Sequence, residues 1–242
     1  MPAKSDNADI RHHPLNVSGE QRAFFGRRSG KRLHKGQDQL FREVLPALEI
    51  KLGEGEVDPQ ALFGGKAARV TLEIGYGGGE HLARQARQNP ETGFIGCEVF
   101  SGGIAKLLQH IDEQALENVR VFTDDALKLL VKLPAASIDE AYLLYPDPWP
   151  KTRHWKRRFV SDENLRRLAR VMKPGAPFRF ASDIDSYVGW TLAHARRSPE
   201  FEWTAEAAND WREPWAGWPG TRYEAKAIRE GRRGVYLTFR RL

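Results

Sequence analysis

The chain has 242 residues, enough for one domain that buries about 70% of its unfolded surface without disulfides or bound metals. A hydrophobic content of 40% and a charged content of 29% exclude wholesale disorder, and the lone Cys97 excludes an internal disulfide, a Cys-based zinc ribbon and an iron–sulfur cluster. The net charge of +6 is compatible with nucleic acid, while no apolar run approaches the roughly 20 residues of a membrane span and the first residues lack a signal peptide's apolar core, so a cytoplasmic protein is expected.

Residues 1–36 are polar, punctuated and basic toward their end, and read as a flexible arm ahead of a single domain at 37–242. Arg27, Arg28, Lys31, Arg32 and Lys35 form a run with no acid over 27–35, either a solvated arm or one that meets phosphate. Residues 37–50 place Leu40, Phe41, Val44, Leu45 and Leu48 at helical spacing, with Pro46 interrupting or ending that helix. The stretch 52–66, rich in glycine and acid, reads as a loop inserted before the core.

From Arg69 the rhythm becomes strand, turn, helix. A β-branched strand at 70–74 leads into the glycine turn 75–79 and a helix from Glu80 that Asn89-Pro90 ends. A second strand at 94–99 is followed by Gly102-Gly103 leading into a helix. A third at 119–122 precedes Asp124-Asp125-Ala126 and a short leucine-rich helix. A fourth at 138–144 runs into Tyr145-Pro146-Asp147-Pro148-Trp149-Pro150. Beyond it come a helix beginning at Asp162, a strand at 178–182, a helix over about 186–197, an extended piece at 201–204 and a last strand at 235–240. The stretch 209–222 is irregular and shows no ten-residue helix, so the last two strands are expected to pair antiparallel at one edge. The whole predicts an α/β protein, Rossmann-like and doubly wound. Its seven-stranded sheet is mostly parallel, with an antiparallel edge strand and helices on both faces.

The turn with Gly75, Gly77 and Gly79 follows a strand, where ligands of open α/β sheets touch backbone. Glu80 stands where a dinucleotide fingerprint requires glycine or alanine, and Glu73 would repel a pyrophosphate, which argues against a nicotinamide-dependent dehydrogenase. A cationic cofactor without phosphate, such as S-adenosylmethionine, suits the loop better. Glu98 ends the second predicted strand, where a carboxylate can accept ribose hydroxyls. Asp125 follows the third, where adenine lies in such folds, and Asp147 follows the fourth, above the transferable group. Any one acid alone is more often a helix cap or loop residue. Four at consecutive strand ends point to a site.

Prolines 146, 148 and 150 stiffen the loop that holds Asp147 and Trp149. Lys151, Arg153, Lys156, Arg157 and Arg158 then place five cations in eight residues beside His154 and Trp155, a composition suited to phosphate contact and base stacking. As a charge run alone it reads as a solvated face, and a non-catalytic RNA-binding module with the same fold is a rival reading of the chain. The intact acids, the proline loop and Thr221 to Glu224 argue against it. The seven histidines show no metal-ligand spacing, and no metal is expected.

Over roughly residues 20–242 the sequence resembles the bacterial tRNA (guanine-N7)-methyltransferase family. The resemblance is carried by E-I-G-x-G-x-G at 73–79, G-x-E at 96–98, D-A at 125–126, P-D-P-W-P-K at 146–151, R-H-x-K-R-R at 153–158, S-D at 182–183 and T-R-Y-E at 221–224. It implies methyl transfer from S-adenosylmethionine to N7 of a tRNA guanine, in the family's case one in the variable loop. It also implies that Glu73, Glu98, Asp125 and Asp147 bind the cofactor beside Gly75, Gly77 and Gly79, with Asp147 catalytic. Lys151, Asp183, Thr221, Arg222, Tyr223 and Glu224 would hold the guanine region. Arg153, His154, Trp155, Lys156, Arg157 and Arg158 would contact RNA. No protein partner is implied, and the chain is expected to act as a monomer or homodimer. Tyr145 and Thr152 depart from the family's usual residues without touching the implied chemistry.

Overall fold

The computed structural model describes residues 26, 28–30 and 33–242. Arg27, Lys31, Arg32, His12 and His13 lie outside the described residues. α1 (Lys35–Glu43) and α2 (Leu45–Leu48) meet at Val44. Pro46 sits in the first turn of α2, where its missing N–H has no intrahelical partner to lose, so the proline interrupts one helix and starts the next.

The chain then covers a sheet edge, the Ile50 N–H donating to the Val121 carbonyl at 2.8 Å. The segment expected as an inserted loop instead contains α3 (Pro59–Leu62), capped by the Asp58 carboxylate on the Gln60 N–H. This short helix delivers Phe63 against Gly93, where a Cβ would stand 2.4 Å from the ring. Leu52, Val57 and Leu62 pack against the same core. The acidic, glycine-rich composition had concealed an apolar anchor.

β1 (Arg69–Ile74), β2 (Thr92–Cys97), β3 (Val119–Phe122), β4 (Glu140–Leu144), β5 (Pro177–Ser182), β6 (Phe201–Trp203) and β7 (Val235–Arg241) form one sheet. Its order is β3-β2-β1-β4-β5-β7-β6. The first five strands run parallel, and β7 pairs antiparallel with both β5 and β6. Strand order reverses between β1 and β4, so the loops after these two strands flank the crevice where such sheets bind ligands.

Alternation along the strands sends Val70, Leu72 and Ile74 into one core with α6 (Ala126–Lys132), α7 (Asp162–Val171) and α8 (Asp185–Arg197). A second core joins α1 and α2 to α4 (Glu80–Gln88) and α5 (Ser101–Gln114). Leu72, Leu82, Leu107 and Leu129 are fully buried, and each such side chain contributes about 1.5–3 kcal/mol. α5 begins before the paired glycines, not after them, and takes Gly103 into its first turn. A Cβ there would lie 2.2 Å from the Gly77 carbonyl, so the helix closes on the β1 loop only as glycine.

The region called irregular holds α9 (Asn209–Arg212), and just beyond it stands α10 (Arg222–Arg229). Between them Trp215 and Trp218 pack on Tyr142, Leu144, Ala181 and Tyr236, covering a part of the sheet with aromatic rings. Among the described residues no helix is long and apolar enough to cross a membrane.

Candidate functional site

Gly75, Gly77 and Gly79 adopt φ of +71°, +58° and +76°, values that favour glycine, and no atom lies within 4 Å of a Cβ built on Gly75. Backbone at the β1 end therefore stands open to close approach. Glu98, just past β2, folds its carboxylate into this turn. Oε2 accepts the Gly77 N–H at 2.9 Å, and Oε1 accepts those of Val99 and Phe100 at 2.8 and 2.9 Å. Burial nevertheless raises its pKa, the hydrogen bonds from Phe100, Gly77 and Val99 offset part of that rise, and the charge of Asp147 adds to it. The charge of Asp147 is thus felt at Glu98.

Asp125 is the N-cap of α6, accepting the Leu127 N–H at 3.0 Å, so the helix-cap reading of this residue is correct as far as it goes. Its pKa is also raised, first by burial, against the Leu127 hydrogen bond. The neighbouring Asp124 behaves oppositely. Burial disfavours its charge, but Lys128, the Asp125 amide and Arg28 outweigh that and hold its pKa at about 2. The Arg28–Asp124 pair at 2.8 Å, with the Ser101 N–H on the Arg28 carbonyl at 3.0 Å, brings part of the N-terminal arm beside the strand-end acids.

Asp147 is exposed at the tip of the β4 loop, and partial desolvation raises its pKa. Tyr145 and Trp149 on either side take φ of +47° and +44°, left-handed conformations that bulky residues rarely adopt and that cost on the order of 1–3 kcal/mol each. Each precedes a proline. The sequence signalled stiffness here and concealed the strain.

The cations that follow divide into two groups. Lys151, Arg153 and Lys156 are exposed on a 3-10 turn at Thr152–Arg157. His154 lies among them, its pKa lowered by residual desolvation and by the charges of Arg157, Arg153, Lys151 and Lys156. Arg157 stacks over Trp149 at 4.9 Å. Arg158 faces the other way. It is 3% exposed, donates to the Pro148 carbonyl at 3.0 Å and to the Ser186 carbonyl and hydroxyl at 2.8 and 3.0 Å, and lies over Trp155 and Tyr187. Among the cations expected at RNA it is the buried one, a staple fastening the proline loop to α8. Trp155 packs edge-on against Trp190 at 5.6 Å.

The T-R-Y-E segment starts α10. Thr221 caps it, accepting the Glu224 N–H at 3.1 Å. The Glu224 carboxylate, 8% exposed, takes the Trp218 indole N–H at 2.8 Å and the Tyr236 hydroxyl. Tyr223 is exposed but lies over the glycine turn, where a Cβ on Gly77 would stand 2.8 Å from its ring. Arg222 reaches Glu80 at 3.9 Å. Asp183, after β5, pairs with Arg232 at 2.6 Å.

Glu73 points from β1 to the face opposite Leu72, where His81 of α4 meets it, Nδ1 to Oε2 at 2.7 Å. The sequence reading missed His81. An i, i+8 relation across a strand–turn–helix joint has no period to announce it.

The donor set fits S-adenosylmethionine. Glycine backbone lies open beside Gly75, and the carboxylates around it match a cofactor with a sulfonium, an ammonium and hydroxyls but no phosphate.

The sequence matches a family model described as "Putative methyltransferase" over residues 67–237. It is 57% identical to the tRNA (guanine-N(7)-)-methyltransferase of Rhizobium meliloti (strain 1021) over 90% of this chain and 95% of that one. It is 59% identical to the same-named protein of Agrobacterium fabrum, over 90% and 94%. Its fold is similar to the crystal structure of the 16S rRNA methyltransferase KamB, with a TM-score of 0.56 and 19% identity across 79% of this chain and 97% of that one.

Proposed function

The chain belongs to the tRNA (guanine-N(7)-)-methyltransferase family, and we propose that the crevice between the β1 and β4 loops is where it moves a methyl group from S-adenosylmethionine to N7 of a tRNA guanine. The observation that carries the assignment to this crevice is the meeting of three features there. They are the glycine turn, open at Gly75, with Glu98 bonded into it, Asp147 on the β4 loop with its charge adding to the rise in the Glu98 pKa, and Tyr223 lying over Gly77.

When bound, the cofactor supplies a methyl carbon on a cationic sulfonium. Guanine N7 has an in-plane lone pair outside Watson–Crick pairing, so it attacks without first losing a proton and needs no strong general base. The protein's task is alignment of N7 with the methyl carbon, an orientation effect that supplies about 7–11 kcal/mol. Glu73, Glu98 and Asp125 hold the cofactor in this reading. The methylated purine carries positive charge, which a carboxylate beside the ring stabilises. Asp147 and Asp183 are the candidates, and the geometry favours Asp147, because Asp183 is engaged by Arg232. Asp183 and Glu224 are the acids that the resemblance gives to the guanine N1–H and N2 amine, groups that adenine lacks; their carboxylates are already held by Arg232 and by Trp218 and Tyr236, so a guanine would share or displace those bonds. Lys151, Arg153, His154 and Lys156 supply the surface for the RNA backbone. The variable-loop guanine is the target that the family resemblance implies, and the cytoplasm the compartment.

Labelled methyl transfer to unmodified tRNA, with the product mapped by cleavage at N7-methylguanine, tests the reading. It predicts label at one guanine N7 that disappears with Asp147→Ala. Cofactor binding without labelled tRNA removes the substrate assignment and leaves the fold.

A further inference from the structure

Glu73 and Glu224 stand on different elements, and the proposed function gives them to different partners, one to the cofactor and one to the guanine. A continuous set of contacts joins them. The His81 ring, 2% exposed, donates to Glu73 and lies between Tyr142, at 4.7 Å between centroids, and Trp218, at 5.1 Å. Trp218 in turn donates its indole N–H to Glu224 at 2.8 Å. Tyr236 donates to the other Glu224 oxygen, and its ring lies 5.9 Å from that of Trp218.

Two facts separate this arrangement from ordinary core packing. A histidine buried to this degree beside a buried carboxylate has its ring orientation fixed by that one strong hydrogen bond, so the bond also fixes the carboxylate. His81 engages Oε2, and Oε1 is the Glu73 oxygen that this bond leaves for a ligand. The stacking rings, moreover, come from three distant parts of the chain: α4, β4 and the segment before α10. Movement of the T-R-Y-E helix therefore reaches His81 through Trp218.

Resting on the cofactor assignment of Glu73 above, we propose that His81 is a positioning residue of the transfer reaction: it locks the Glu73 carboxylate in the orientation that favours the cofactor's sulfonium, and Trp218 clamps it from the substrate side. A positively charged sulfonium gains more from a fixed carboxylate than the neutral thioether of S-adenosylhomocysteine does. The lock therefore contributes to discrimination between cofactor and product.

The test is calorimetric binding of S-adenosylmethionine and S-adenosylhomocysteine to the full chain, with tRNA kinetics alongside. A lost hydrogen bond to a charged group predicts that His81→Leu weakens S-adenosylmethionine by about tenfold or more and S-adenosylhomocysteine distinctly less. His81→Asn, whose amide can donate from near the Nδ1 position, restores most of the difference, whereas His81→Gln does not. Trp218→Phe keeps a ring but loses the indole N–H. It leaves cofactor affinity within about twofold and raises the KM for tRNA by about fivefold, the scale of one modest hydrogen bond. Equal weakening of both ligands by His81→Leu with no rescue by asparagine makes His81 a core residue and overturns the proposal. If His81→Leu does not fold, equal behaviour of the asparagine and glutamine variants does the same. If wild type binds neither ligand, or Glu73→Gln binds both as wild type does, the cofactor assignment fails instead.

Discussion

Glu98 ties the end of β2 to the turn after β1: its Oε2 accepts the Gly77 N–H at 2.9 Å while its Oε1 holds the next two amides of its own loop. One carboxylate therefore shapes the loop on which the cofactor reading depends. Glu98→Gln puts an NH2 group where an oxygen accepted a backbone N–H, and is expected to weaken S-adenosylmethionine by about tenfold or more. Titration calorimetry reads the change. Wild-type affinity in this variant would mean the carboxylate serves only the loop.

Gly77→Ala tests the same joint from its other side. The new methyl would stand 2.8 Å from the Tyr223 ring at a φ of +58°, which costs about 1 kcal/mol in the backbone alone. The expected result is a lowered melting temperature together with a higher KM for tRNA, because Tyr223 is displaced.

The pH dependence of cofactor binding follows from the raised pKa values of Glu98, Asp125 and Asp147, in each of which burial is the largest cause. A cationic ligand needs these groups ionised. As pH falls, each takes up its proton earlier than an ordinary carboxyl would, so affinity begins to drop above the usual range of 3.8–4.5. The drop approaches about tenfold per pH unit for each proton taken up. Stability of the ligand-free protein moves the other way. A raised pKa in the folded state means that folding is opposed above that value, and the opposition vanishes below the unfolded one. Asp147→Asn should therefore leave the melting temperature unchanged or higher while abolishing transfer. A variant that melts much lower would assign Asp147 to the structure.

The cations after the proline loop should separate cleanly. Removing the buried guanidinium in Arg158→Ala leaves the Pro148 and Ser186 acceptors unpaired and opens space between three aromatic rings, a loss of about 3 kcal/mol of stability or more. Arg158→Lys does not rescue it, since a point charge cannot meet three separate acceptors. Arg153→Ala and Lys156→Ala, at exposed positions, leave stability within about 0.5 kcal/mol. Each lowers tRNA affinity and reduces the magnitude of its salt slope by about one, as expected for a phosphate contact. Thermal melts and binding isotherms at several salt concentrations read both.

Phe63→Ala should cost about 3–5 kcal/mol, because the buried ring packs directly on Gly93 and its removal leaves a cavity there. A loss under 1 kcal/mol would return the 52–66 segment to the status of a loop.

Local patterns in the sequence carried most of the sheet and the positions of its acids. Strands such as β3 are β-branched, their helices are punctuated by Asn89-Pro90 and Lys173-Pro174-Gly175, and the acids fall at the strand ends. What stayed hidden is held by distant contacts. Arg158 looked like one more cation in a basic run, and only the arrival of α8 turns it inward. Phe63 sat in a stretch whose composition spoke for solvent. Trp215 and Trp218 lie in a segment without period, since they pack as single anchors on the sheet rather than along a helix face. The left-handed Tyr145 and Trp149 are set by the tertiary frame, because their own propensities oppose that conformation.

The measurement that bears most directly on the whole account uses tRNA transcripts in which guanine is replaced by 7-deazaguanine, so that a C–H stands where N7 was. With wild-type protein and labelled S-adenosylmethionine, the transcript is predicted to bind within about twofold of unmodified tRNA, since backbone contacts dominate affinity, and to accept no methyl group. Methyl label on the 7-deaza transcript would place the transfer at another atom and contradict the account.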